Sequence, residues 1–148
     1  MKIEQVAWDH PASVSLRQAQ RDEIEQRYRT PDSEPGPAPT GDDITAFYVA
    51  FENETAVGCG GLRQLDPTEA EIKRMFVAPS HRATGVSTAL LARLEQFGRE
   101  RGYRRLVLET GDQQPDAIRF YTREGYERIA NFGYYADSAL SLCFAKAL

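Results

Sequence analysis

Cysteine and histidine are scarce in this chain, with two of each in 148 residues. Cys59 and Cys143 have no second cysteine or histidine at metal-ligand spacing, which excludes a zinc motif or a disulfide framework and leaves both as small apolar groups. His10 falls in the polar opening and His81 in a loop, so a Ser-His-Asp triad has no material, and no metal is expected. Long apolar runs are missing too: no stretch approaches the span of a bilayer, and residues 1–6 lack the apolar core of a secretory signal. A cytoplasmic protein without a membrane partner is expected. The formal net charge of −4 argues against nonspecific nucleic-acid binding.

What is present fits one soluble domain spanning residues 1–148, with 41% hydrophobic and 27% charged residues. The charge is uneven. Residues 71–105 hold Lys73, Arg74, Arg82, Arg93, Arg99, Arg101, Arg104 and Arg105 against Glu71, Glu95 and Glu100. That segment is therefore +5, and the total of −4 leaves −9 for the rest. Positive charge surrounds a string of small residues, Arg82-Ala83-Thr84-Gly85-Val86-Ser87, set between an apolar run and an amphipathic segment. Such an elbow leaves backbone N–H groups uncovered at the positive end of a helix, which is what a phosphate-bearing ligand needs.

Around the elbow the periodicity predicts a mixed order of elements. Residues 1–6 read as a first strand and 13–28 as a helix anchored by Val14, Leu16, Ala19 and Ile24. Residues 30–41 hold four prolines and two glycines and form a mobile surface loop or lid. Residues 46–51 and 56–63 make an antiparallel hairpin, within which Gly58, Gly60 and Gly61 mark close packing or a bulge. A third strand, 70–77, leads through the elbow into a helix over 86–101 that Gly102 ends in a left-handed cap. A strand over 105–110 follows. Pro115 opens a short helix through Tyr121 that closes at Gly125, and 138–146 is the last strand.

With these elements in order, the chain resembles the GNAT superfamily of acyl-CoA-dependent N-acetyltransferases over residues 46–148. Three motifs carry the likeness: 71–79, the elbow with its helix, and Ala117-Ile118-Arg119-Phe120-Tyr121 followed by Glu124-Gly125-Tyr126. The resemblance implies an α/β (α+β) fold with a mixed, mostly antiparallel central sheet flanked by helices. It implies that the elbow amides hold the pyrophosphate of coenzyme A; Arg82 and Gly85 match the motif, while Ser87 stands where Gly or Ala is usual and Thr84 where Gly or a basic residue is common. It also implies that Met75, Phe76 and Val77 pair with the pantetheine arm, and that Gln114 lies on the cofactor side where Asn is frequent.

Acetyl transfer from a thioester to an amine needs a neutral nucleophile, a donor for the oxyanion and an acid for the departing thiolate. Tyr121 shares the inward face of Ile118 and occupies the place of the family's thiolate acid; its alternative is a buried structural tyrosine. Glu71 is the candidate base, since some relatives use a carboxylate there. An exposed strand charge pairing with Lys73, Arg63 or Arg74 is its alternative. A backbone N–H within residues 75–77 is assigned to the oxyanion. Tyr28, Phe132, Tyr134 and Tyr135 are candidates to line an acceptor pocket, in regions that also hold Arg17, Arg21 and Glu23.

The leading expectation is an N-acetyltransferase that moves an acetyl group from acetyl-CoA, its cosubstrate, to a primary amine of a small molecule. Transfer would be direct, in a ternary complex. Two other readings stay open: a noncatalytic acyl-CoA-binding sensor, and an enzyme acetylating proteins through a groove opened by the Pro-rich loop. The last strand also leaves a homodimer open.

Overall fold

The computed structural model describes residues 1–30 and 34–148, so Pro31, Asp32 and Ser33 of the Pro-rich loop lie outside the described residues. Its elements are β1 (Lys2–Gln5), α1 (Pro11–Tyr28), β2 (Ala46–Glu52), β3 (Thr55–Asp66), β4 (Glu69–Val77), α2 (Val86–Arg101), β5 (Arg105–Gly111), α3 (Pro115–Arg123), β6 (Glu127–Ile129) and β7 (Ser141–Ala147). The strands form one sheet in the order β1-β2-β3-β4-β5-β7-β6. β4 and β5 run parallel and the other neighbours antiparallel. This is the mixed, mostly antiparallel sheet that the sequence predicts.

Alternation along β2 sends its side chains to two cores. Tyr48 and Ala50 join the larger one, which includes Leu90, Leu94 and Leu106; Phe47 and Val49 join the second, beside Leu16 of α1. α2 lies close because Gly58 has no side chain, since a Cβ there would meet Val86 Cγ1 at 2.9 Å. The helix stops where Gly102 adopts φ 82°, with the N–H of Tyr103 donating to the Gly98 carbonyl at 2.9 Å.

One irregularity in the sheet shapes everything that follows. The β3–β4 register passes from Cys59 opposite Phe76 to Gly61 opposite Lys73. Gly60 alone therefore faces both Arg74 and Met75, and Arg74 takes a left-handed φ of 59°. This is a β-bulge, which bends its strand and interrupts regular alternation. On the other side, β4 pairs with β5 only from Glu69–Arg105 to Glu71–Val107. Beyond that the two strands part and both line one cavity.

Three sequence expectations need correcting. Val14 is 48% exposed and Ala19 is exposed, so neither anchors α1. The inward line is instead Ser13, Leu16, Arg17, Gln20 and Ile24, because the Ser13 hydroxyl donates to the Trp8 carbonyl at 2.8 Å and turns a polar stripe inward. The last strand begins at Ser141: the preceding loop is gathered by Asn131, whose Nδ2 donates to the carbonyls of Tyr135, Ser138 and Ser141. The short β6, on the outer side of β7, has too few residues to show a period and is absent from the sequence reading.

Candidate active site

Two cavities meet in the gap between β4 and β5. The larger, about 470 Å³, runs from the elbow (Arg82, Ala83, Gly85, Ser87) along Met75, Phe76 and Val77. The smaller, about 240 Å³, is lined by α1, the loop at 34–38, β4 and β5. Gln20, Ile24, Met75, Gln114, Ala117 and Tyr121 belong to both.

The elbow is built from backbone. Ala83 (φ 62°) and Gly85 (φ 92°) are both left-handed, a conformation that suits glycine and costs alanine. A Cβ on Gly85 would meet nothing within 4 Å, so its requirement is conformational and not steric. The Thr84 hydroxyl ties the turn by donating to the His81 carbonyl. Gly85 caps α2, leaving the first-turn amides of Val86, Ser87 and Thr88 without acceptors inside the helix. Thr84 and Val86 line neither cavity, and Val86 is buried in the core.

Arg82 is already engaged. Its guanidinium forks onto Glu23 of α1 at 2.8 and 2.7 Å, while Nε donates to the Val77 carbonyl at 2.9 Å. The Arg82 bond holds the Glu23 carboxyl below its ordinary range. Glu23 thus stands in the larger cavity.

Tyr121 sits where the cavities join. α3 begins at Pro115, which pre-sets its first turn, and buries Tyr121 edge-on against Phe120 at 5.1 Å and Tyr126 at 5.6 Å. Among the described residues its hydroxyl meets no hydrogen-bond partner, and burial pushes the phenol well above its ordinary range. Beside it, Gln20 Nε2 donates to the Met75 carbonyl at 3.0 Å, and Gln20 Oε1 is buried without a partner among the described residues. A buried unpaired acceptor is costly. It suits a ligand N–H.

Glu71 lines neither cavity. It is 1% exposed, not the exposed strand charge of the alternative reading, and both of its oxygens are engaged. Arg63 donates to Oε1 at 3.0 Å and the Tyr135 hydroxyl to Oε2 at 2.6 Å. The Lys73 ammonium donates to the Tyr135 oxygen at 2.9 Å. The carboxylate that does line the smaller cavity is Glu109 of β5. The Ser141 hydroxyl donates to it at 2.6 Å, and burial pushes its carboxyl above the usual range.

The four aromatic candidates for the acceptor wall line neither cavity. The Tyr28 hydroxyl instead accepts the Gln113 N–H at 3.1 Å and so fixes the β5–α3 loop. Phe132 packs edge-on against Tyr135 at 5.2 Å. Tyr134 is 69% exposed and covers Gly36. Tyr135 alone turns inward, into the Glu71–Lys73 network. Of the acceptor-side residues, Arg17 and Arg21 do line the smaller cavity; Gln114, expected on the cofactor side, lines both, and Glu109 went unforeseen. Its signal was a charge inside the apolar run Leu106-Val107-Leu108-Glu109, where an acid needs a reason.

Residues 8–126 match the model of the acetyltransferase (GNAT) family. The chain is 38% identical over 103 residues to a protein of Azospirillum brasilense named IAA acetyltransferase, covering 69% of this chain and 67% of that one. Among solved structures, an acyl-CoA N-acyltransferase from Klebsiella pneumoniae superposes with a TM-score of 0.84 at 28% identity, over 99% of this chain and 97% of that one. A GNAT-family acetyltransferase from Elizabethkingia anophelis with acetyl-CoA bound shares the fold, with a TM-score of 0.73 at 18% identity over 99% and 97% of the two chains.

Proposed function

The chain belongs to the acetyltransferase (GNAT) family, and from that premise we propose that it moves an acetyl group from acetyl-CoA directly to the primary amine of a small molecule. One observation carries the reading: Tyr121, a buried phenol with a free hydroxyl among the described residues, stands where a long groove ending at the elbow meets a small polar chamber. The groove suits an extended ligand with a pyrophosphate at the elbow and its thioester at Tyr121. A chamber of about 240 Å³ is smaller than drug-sized pockets and suits a small acceptor better than a protein surface.

Each step then has an owner. Glu109 takes a proton from the acceptor ammonium, and its raised pKa makes it a better match for that proton than an ordinary carboxylate. The freed amine attacks the thioester carbonyl carbon, and a backbone N–H within 75–77 donates to the developing oxyanion. As the C–S bond breaks, Tyr121 gives its proton to the thiolate, and the second proton of the amine nitrogen, lost as the amide forms, passes through solvent to restore the phenol. Glu71 lines neither cavity; it positions Tyr135 by a hydrogen bond and Lys73 both through that phenol and directly, at 3.6 Å. No cysteine is placed to carry the acetyl group. Cys59 donates to the Arg74 carbonyl with its thiol pushed up to about 12, and Cys143 is buried outside both cavities.

The test is thiol release from acetyl-CoA across a panel of small amines, amino acids and peptides. Release with small amines and not with peptides is expected. Acetyl-CoA binding without release on any acceptor would contradict the reading, and release only on peptides would move it to protein acetylation.

A further inference from the structure

The smaller cavity carries four cations, Arg17, Arg21, Lys73 and Arg74, and two carboxylates, Glu34 and Glu109. Arg17 is committed to the protein: it stacks on the Trp8 ring at 3.5 Å and donates to the Trp8 carbonyl at 2.7 Å. Lys73 and Arg74 are different. In a regular strand consecutive side chains point to opposite faces. Here the bulge at Arg74 brings both onto one carboxylate, that of Glu34, with Oε1 at 2.9 Å from Lys73 Nζ and Oε2 at 2.6 Å from Arg74 Nη1. Lys73 is only 4% exposed and Arg74 is partly buried, so this is a two-cation fork with one buried arm.

Glu34 does not come from the scaffold. It belongs to the loop between α1 and β2, and no helix or strand holds residues 34–41. Glu109 stands near enough to feel both Glu34 and Lys73. Withdrawing Glu34 would leave Lys73 with Glu71 Oε2 alone, at 3.6 Å, and Arg74 without a carboxylate partner among the described residues, so the pair facing the chamber would be short of one counter-ion. We infer that the Lys73–Arg74 fork is a carboxylate subsite for the acceptor, with the side chain of Glu34 as its resident stand-in. The acceptor class is then amines that also carry a carboxylate, such as amino acids, with the amine at Glu109 and the carboxylate replacing Glu34 on the fork. This rests on the acetyl-transfer reading for the acceptor's role, though not for the binding itself.

Propionate, a carboxylate with no amine, tests the subsite alone. The chain has three lysines, Lys2, Lys73 and Lys146, so protein labelled with ¹⁵N at lysine Nζ reports on Lys73 within a three-signal spectrum. Propionate should move the Lys73 resonance and propionamide should not. Glu34→Gln, which removes the competing charge but keeps the side chain, should tighten propionate about tenfold, the scale of one charge-assisted contact. In turnover, the same variant should raise kcat/KM for amino acids relative to their amides, and Arg74→Gln should lower that ratio. If propionate leaves Lys73 unmoved in both proteins, or if Glu34→Gln raises KM for acids and amides alike, Glu34 is a fixed wall and the proposal is overturned. If Lys73 responds to propionate while no amine releases thiol, the subsite stands and the acetyl-transfer reading falls.

Discussion

The two cavities are built by different means. The elbow end of the groove is made of backbone: a turn with two left-handed residues, a helix N-terminus and the unpaired edge of β4, within residues 75–88, while side chains of α1 and α3 wall the groove from the sides. The chamber is made of side chains delivered from afar, by α1, the loop at 34–38, β4 and β5, with Ser141 of β7 behind Glu109. A backbone site tolerates changes of side chain and resists changes of φ. A side-chain site does the reverse, and losing one polar atom leaves its partner buried and unpaired. The groove is thus suited to a constant ligand and the chamber to a particular one.

Substitutions on each side of the junction sharpen that contrast. The largest effect is expected at the junction itself. Tyr121→Phe should lower kcat by about 10²-fold or more, the usual contribution of a positioned proton donor, while the acetyl-CoA Kd measured by calorimetry stays within a few-fold. Glu109→Gln should come next, with kcat/KM for amines falling by about 10²-fold. Because burial raises the Glu109 carboxyl and the base must be ionised, wild-type kcat/KM should rise with pH through a limb above the ordinary carboxylate range. Glu109→Gln should abolish that limb. Tyr121, raised still further, should add no falling limb near neutrality.

On the groove side, Gly85→Ala meets no atom within 4 Å but must hold φ 92°. It should weaken acetyl-CoA by about tenfold, reflecting roughly 1–2 kcal/mol of left-handed strain, with kcat at saturation little changed. The smallest effect belongs to Glu23→Gln. Freed from its fork, Arg82 should bind acetyl-CoA a few-fold tighter, and the gain should fade with salt, as expected of a partly exposed ion pair. If Gly85→Ala lowered kcat and Tyr121→Phe weakened cofactor binding, the division of labour between the cavities would be wrong.

The same division explains what the sequence revealed. The elbow, the Gly102 cap, the Pro115 helix start and the hairpin bulge among Gly58, Gly60 and Gly61 are local strings whose residues have few conformational choices, so each could be read where it stands. The chamber depends on pairings across 32 to 64 residues, such as Ser141 with Glu109 or Tyr135 with Glu71, and a linear reading has no access to them. Aromatic residues suggest an acceptor wall at Tyr28, Phe132 and Tyr134, but Tyr28 clamps a loop, Phe132 packs on Tyr135 and Tyr134 covers Gly36. The inward stripe of α1, Ser13-Arg17-Gln20, is polar and so carries no apolar period to be read. Function had replaced the hydrophobic signal with hydrogen-bonding groups at the same helical spacing.

Direct transfer at Tyr121 from acetyl-CoA to a small amine can be tested by rapid mixing without assuming the acceptor's identity. Wild-type protein mixed with acetyl-CoA alone should release no thiol beyond the background rate. Adding an amine that it accepts should release one thiol for each acetylated amine formed. A stoichiometric burst of thiol before any amine is present, leaving an acetylated protein, would contradict it.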